Sequence, residues 1–140
     1  IKKCGTGLDM MKFMSADKFD SNKPTSQMLG RFQPWHDSHT ELFKRMHAET
    51  GQVVIMIGDM PQSDDNPFNP RRVVKILVNK LARHDFEIDR DYSVIIVPNI
   101  VNIGYGRDVG YSIQQYDLGE EAHKISATDL RDIMRAAGDI

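Results

Sequence analysis

The chain has 140 residues, 40% of them hydrophobic and 27% charged, a composition that suits one compact domain with a core and excludes disordered, collagen-like or disulfide-dense classes. With 18 Lys and Arg against 20 Asp and Glu the formal charge is -2, so no overall basic field draws in a nucleic-acid backbone, and only local grips for small anions remain open. The single cysteine, Cys4, can close neither an internal disulfide nor a CxxC metal site, which suits a reducing cytoplasm.

Residues 1–24 mix Lys, Asp, Ser and Gly around a weak apolar patch, Met10, Met11, Phe13 and Met14, and end in the turn-formers Asp20-Ser21-Asn22-Lys23-Pro24. They are expected to be an arm or linker ahead of a domain spanning 25–140. The first residue, Ile1, and the lack of a basic-then-apolar layout read as a processed start or an excised module rather than a secretory signal.

From Thr25 the pattern becomes regular. It predicts a strand over Ser26 to Leu29, a helix over 38–50, a strand over 52–58, a helix over 70–84, a strand over 92–98, a Gly-rich stretch and a last helix over 127–137. Alternating strands and helices make an open α/β parallel sheet with helices on both faces. The runs Val53 to Ile57 and Val94 to Val97 are continuously apolar, as in central parallel strands buried on both sides, and far shorter than the ~20 residues of a membrane-spanning helix. Asn69 before Pro70 predicts an N-cap and first helical position, followed by a buried face of Val73, Val74, Leu77 and Leu81. The polar stretch 59–69 between them is expected to be a mobile surface loop.

The most informative segment runs from Gly30 to Leu42, Gly-Arg-Phe-Gln-Pro-Trp-His-Asp-Ser-His-Thr-Glu-Leu. Ser38 and Glu41 form a capping-box pattern that would place His39 at the first helical position and His36 in the loop before it. Unpaired N–H groups, the positive end of the helix and two imidazoles together suit a phosphate whose charge grows during reaction. Two plainer readings of an HxxH remain: one exposed and one satisfied histidine, or a zinc pair, which here lacks a third ligand nearby. Near the C-terminus, Ser126 and Asp129 repeat the capping pattern ahead of the stripe Leu130, Ile133, Met134 and Ala137. The hydroxyls of Ser126 and Thr128 and the guanidinium of Arg131 match phosphate oxygens, although such residues at a helix start are commonly plain caps and solvated charges.

Between Asn102 and Tyr111 three glycines stand among Tyr105, Arg107 and Tyr111. The spacing is not a dinucleotide GxGxxG, and no P-loop occurs anywhere. A loop that stacks a base and binds an acidic substrate fits these residues, as does an ordinary Gly-rich connection. Lys44 and Arg45 could reach a phosphate but read better as solvated. His47, His84 and His123 show no partner pattern, and Asp64-Asp65 lies in a polar loop where charge usually meets solvent. Trp35 would cover a ligand or plug the surface.

Gly30 to His39 resembles the signature of the HxGH nucleotidyltransferase superfamily, in the GRFQPxHxGH form of nicotinamide-nucleotide adenylyltransferases and their relatives. Ile125 to Arg131 resembles its ISxTxxR partner, so the likeness covers residues 25–140. A finer likeness, in Gln33 to Asp37 and Asn102 to Tyr111, is to cytidylyltransferase-like modules of phage or bacterial type, sometimes found beside adenylylsulfate kinase. The resemblance implies a Rossmann-like fold that binds a nucleotide across the carboxyl ends of its strands. It implies that His36 and His39 contact the nucleotide phosphates and stabilise the α-phosphate, and that Gly30, Arg31, Phe32, Gln33 and Ser38 help seat the nucleotide. Ser126, Thr128 and the catalytic Arg131 would hold the departing phosphates, and Tyr105, Arg107 and Tyr111 would select the substrate. Implied partners are CTP or ATP with magnesium and a small phosphorylated acceptor, with no nucleic acid or membrane and with homo-oligomers common. The departure is Ser38 where the family has glycine; a close approach to phosphate favours the smaller residue. It keeps open a nucleotide-binding or partner-docking module without turnover, or one associated with an adenylylsulfate kinase-like protein.

Overall fold

The computed structural model describes residues 18–104, 106, 110–116 and 127–138, with side chains in the last stretch from residue 130 onward. In chain order these give β1 (Ser26–Gly30), α1 (Asp37–Thr50), β2 (Val53–Gly58), α2 (Pro70–Ala82), β3 (Tyr92–Val97) and α3 (Ala127–Ala136). Each matches its expected bounds to within two residues. The stops are chemical. Asn69 Oδ1 accepts the Arg72 N–H at 3.0 Å as N-cap of α2, with Pro70 at the first position. Gly51, at φ 86°, turns the chain out of α1 in the left-handed region that glycine adopts without a steric cost.

The sheet order is β1-β2-β3, and both pairings are parallel, with Met28 opposite Ile55 and Ile55 opposite Val94. Crossovers between parallel strands are right-handed as a rule, and two of them stepping the same way set both helices on one face. There Val53, Ile55 and Ile57 of β2 join Phe43 and Met46 of α1, Val73, Leu77 and Leu81 of α2, and Tyr92 in one buried cluster. The open α/β parallel sheet is thus present, but its cover is uneven. β2 alternates buried and half-buried residues, and Ile95 and Ile96 of β3 are 47% and 49% exposed. Among the described residues β3 ends the sheet order, and an outer strand cannot be as enclosed as a central one.

Two glutamines tie the connections to this frame. At the foot of the sheet, Gln52 Nε2 donates to Asp20 O at 2.6 Å and to Thr25 Oγ1 at 2.7 Å, while its Oε1 accepts the Asp20 N–H at 3.1 Å. Residues just ahead of β1 are therefore docked on the body. At the other end, Gln33 Nε2 donates to Phe68 O at 3.0 Å and Gln33 Oε1 accepts the Phe68 N–H at 2.9 Å. The loop 59–69, expected to be mobile, is accordingly pinned. Arg31 Nη1 donates to Asn66 Oδ1 at 3.3 Å, Arg135 donates to the Asp64 carbonyl, and the Phe68 ring is buried. The polar composition concealed one large apolar anchor, whose burial contributes roughly 2 kcal/mol. Among the described residues no helix is long and apolar enough to cross a membrane.

Candidate functional site

All three strands run the same way, so the loops after β1 and β2 meet at the carboxyl edge of the sheet, where open α/β folds bind ligands. The loop after β1 is shaped by its aromatic rings. Phe32 sits at φ 53° and folds its ring back over Gly30, where an added Cβ would lie 2.9 Å from two ring carbons. A left-handed phenylalanine costs about 1–3 kcal/mol, offset here by burial between Trp35 and His39, both with ring centroids 5.0 Å away. Trp35 is fully buried and its Nε1 donates to Thr40 Oγ1 at 2.9 Å. This indole plugs the core behind the histidines.

The helix start differs from the expected Ser38–Glu41 box. His36 is the N-cap and α1 begins at Asp37, so Ser38 and His39 fall at the second and third helical positions. The Ser38 N–H donates to His36 Nδ1 at 3.2 Å, and the His36 N–H donates to His39 Nδ1 at 3.1 Å. The two histidines thus make the reciprocal box themselves, because an imidazole Nδ1 sits where the side-chain oxygen of asparagine would. Glu41 instead pairs with Lys44 at 3.3 Å, which also accounts for that lysine.

This cap fixes the tautomers. Each Nδ1 accepts, so each neutral ring carries its proton on Nε2, on the ring edge away from the cap. The rings are stacked, with centroids 3.8 Å apart and planes 26° from parallel. Burial first, then His36 and Lys80, push the His39 pKa down to about 3. His36 is also lowered, by burial and by Lys80, against a smaller opposing effect of Asp37. At neutral pH the pair consists of two uncharged N–H donors at the positive end of a helix, an arrangement able to hold an anion.

Arg131, on α3, is 6% exposed, and its Nη1 donates to the Gln33 carbonyl at 2.7 Å. It is not the solvated arginine that a helix start usually shows. The segments around residues 30–39 and 131 therefore meet. Gln33 differs from a simple ligand contact, since both ends of its carboxamide are engaged by the Phe68 backbone. Arg31 is exposed at the end of β1 beside Asn66. Of the other expected site residues, Ser126, Tyr105 and Arg107 lie outside the described residues, Thr128 is described only through its backbone in the first turn of α3, and Tyr111 is 77% exposed. His47 pairs with Asp91 at 3.2 Å. Among the described residues no three His, Cys, Asp or Glu side chains are grouped to take a metal. Sequence reasoning missed Phe68, Thr40 and Lys80; for Phe68 the lone aromatic within a polar loop was the available signal.

No family model matches the chain. Curated archaeal proteins named nicotinamide-nucleotide adenylyltransferase do. That of Methanococcus maripaludis is 26% identical over 84 residues, 54% of this chain and 49% of that protein. Those of Methanosphaerula palustris and Thermoplasma acidophilum are each 32% identical, over 74 and 73 residues, 51% of this chain in both cases and 42% and 38% of the relatives. The chain thus spans about half the length, or less, of the curated relatives it matches. Motifs, parallel sheet and relatives agree that the chain carries a nucleotidyltransferase-like α/β module.

Proposed function

We propose that this module transfers a nucleoside monophosphate from CTP or ATP to a small phosphorylated acceptor, releasing pyrophosphate. The observations that carry the reading are the stacked, neutral His36–His39 pair at the start of α1 and the bond from Arg131 to the carbonyl of Gln33, three residues before His36. An acceptor phosphate oxygen attacks the α-phosphorus in line. That P–O bond forms as the bond to the bridging oxygen of the β-phosphate breaks, and the electron pair leaves with pyrophosphate. The histidine N–H groups donate to α-phosphate oxygens as their charge grows. Arg131, with Ser126 and Thr128, holds the departing phosphates, while Gly30 and Arg31 border the nucleotide and Tyr105, Arg107 and Tyr111 choose the acceptor. The donor set of imidazole N–H groups, hydroxyls and a guanidinium suits triphosphate oxygens, so magnesium would enter on the triphosphate with its own waters. When bound, the ion would neutralise triphosphate charge.

The test is pyrophosphate release from each of the four ribonucleoside triphosphates, with magnesium and a panel of small phosphorylated acceptors. CTP or ATP is expected to turn over, and His39→Ala to lose about 100-fold or more in kcat. An unchanged His39→Ala rate overturns the assigned role. Nucleotide binding without pyrophosphate from any acceptor would favour the binding-module reading, for which Ser38 in place of the family's glycine speaks.

A further inference from the structure

Asn66 is a polar side chain only 6% exposed, within a loop whose neighbouring residues 61–65 are all exposed. Such a group is costly to bury unless its donors and acceptors are paired. Its Nδ2 donates to Ser63 Oγ at 3.4 Å, and its Oδ1 accepts from Arg31 Nη1 at 3.3 Å. The orientation of the amide follows, since the reverse would set donor against donor at the guanidinium. Ser63 also holds the backbone: the Asn66 N–H donates to Ser63 O and to Ser63 Oγ, both at 3.2 Å, and the Ser63 N–H donates to Asn66 O at 3.1 Å. Two residues on, the Phe68 backbone is clamped by Gln33. Asn66 is thus fixed from both sides without help from Arg31.

Arg31 is the opposite case. It follows β1 directly and is exposed, and its Cγ lies 4.0 Å from where a Cβ on Gly58 would stand, so the side chain crosses from the end of β1 to the end of β2. That is the carboxyl edge at which open α/β sheets take ligands. An exposed arginine ordinarily samples many rotamers, whereas one tied at Nη1 presents Nε and Nη2 in a fixed plane, the fork that matches two phosphate oxygens.

We propose that Asn66 is a positioning residue for this site: its carboxamide holds the Arg31 guanidinium across the strand ends so that the remaining N–H groups grip the polyphosphate of the nucleotide. The assignment rests on the proposed function for the identity of the anion. The loop after β2, a surface connection by its composition, thereby contributes to the grip made by the loop after β1.

The test measures binding of inorganic tripolyphosphate to the parent chain, Asn66→Ala, Arg31→Ala and the double variant by calorimetry, at low ionic strength so that weak binders stay in range. Asn66→Ala is expected to weaken binding about 5-fold or more, and to change it less than about 2-fold once Arg31 is replaced by alanine, because a positioning residue acts through the group that it holds. An unchanged affinity in Asn66→Ala overturns the proposal. So does an effect of the same size in the Arg31→Ala background, which would mean that Asn66 only holds its own loop, and so does a parent chain that does not bind the anion. If Asn66→Ala does not fold, Ser63→Ala decides: it removes, from an exposed position, the hydroxyl that orients the carboxamide, and is expected to show the same dependence on Arg31. Pyrophosphate release is read separately. Coupled binding of the anion without turnover of any triphosphate overturns the transfer reading and supports the role of Asn66.

Discussion

The guanidinium of Arg131 rests against the main-chain carbonyl of Gln33 at 2.7 Å, a bond spanning 98 positions of sequence. Gln33 in turn holds the backbone of Phe68 with both ends of its carboxamide. Three separate segments therefore share one residue. Arg131→Ala leaves a buried carbonyl short of its charged donor and should cost about 1–3 kcal/mol. Thermal unfolding with and without CTP or ATP should show this loss together with a smaller nucleotide-induced shift in Tm. A full nucleotide shift would remove Arg131 from the phosphate site.

His39 makes stability depend on pH. Its pKa is about 3 in the folded chain and ordinarily 6.5, so between these values the unfolded chain binds the extra proton. Stability is then complete above pH 6.5 and falls as the pH drops towards 3, at up to about 1.4 kcal/mol per pH unit for one such group. His36 acts in the same direction. Denaturant unfolding at pH 7 and pH 5 should show a smaller difference for His39→Gln than for the parent chain; equal differences would refute it.

Gly30→Ala puts a methyl group 2.9 Å from the Phe32 ring. That ring is buried against Trp35 and His39, so it cannot swing away freely, and overpacking of this kind costs about 1–3 kcal/mol. The displaced ring should also disturb His39. Nucleotide titrations should therefore show weakened affinity under conditions where circular dichroism reports a folded chain.

Tyr92 presents the opposite case. Its ring is fully buried, yet its hydroxyl is the one buried side-chain polar atom without a hydrogen-bond partner among the described residues. Burial, with Asp91 and Asp89, pushes its pKa up to about 12. Tyr92→Phe removes an unpaired group while keeping the ring packed on Phe43, so it is expected to be neutral or to stabilise by up to about 1 kcal/mol. A loss beyond 1 kcal/mol would mean that the hydroxyl has a partner.

Strand and helix order were legible because the continuous runs at 53–57 and 94–97 and the Asn69-Pro70 start each report a local physical demand. The approach of Arg131 to the first loop followed from motif resemblance, since no local pattern encodes a contact across 98 positions. The helix cap was misread because Ser38 and Glu41 satisfy the usual pattern, and the histidine alternative depends on ring geometry that residue types alone do not display. The anchoring of 59–69 was missed for a similar reason. A bracket between Gln33 and the Phe68 backbone leaves no periodicity.

Because its two imidazoles are uncharged at neutral pH, the start of α1 brings directional donors but no full positive charge to an anion. Under the proposed function, the ionic part of the attraction would come from cations such as Arg31 and Arg131. Added salt, which screens charges beyond a Debye length of about 10 Å at 0.1 M, should then weaken nucleotide capture mainly through those cations. The residual affinity at high ionic strength would measure the histidines themselves.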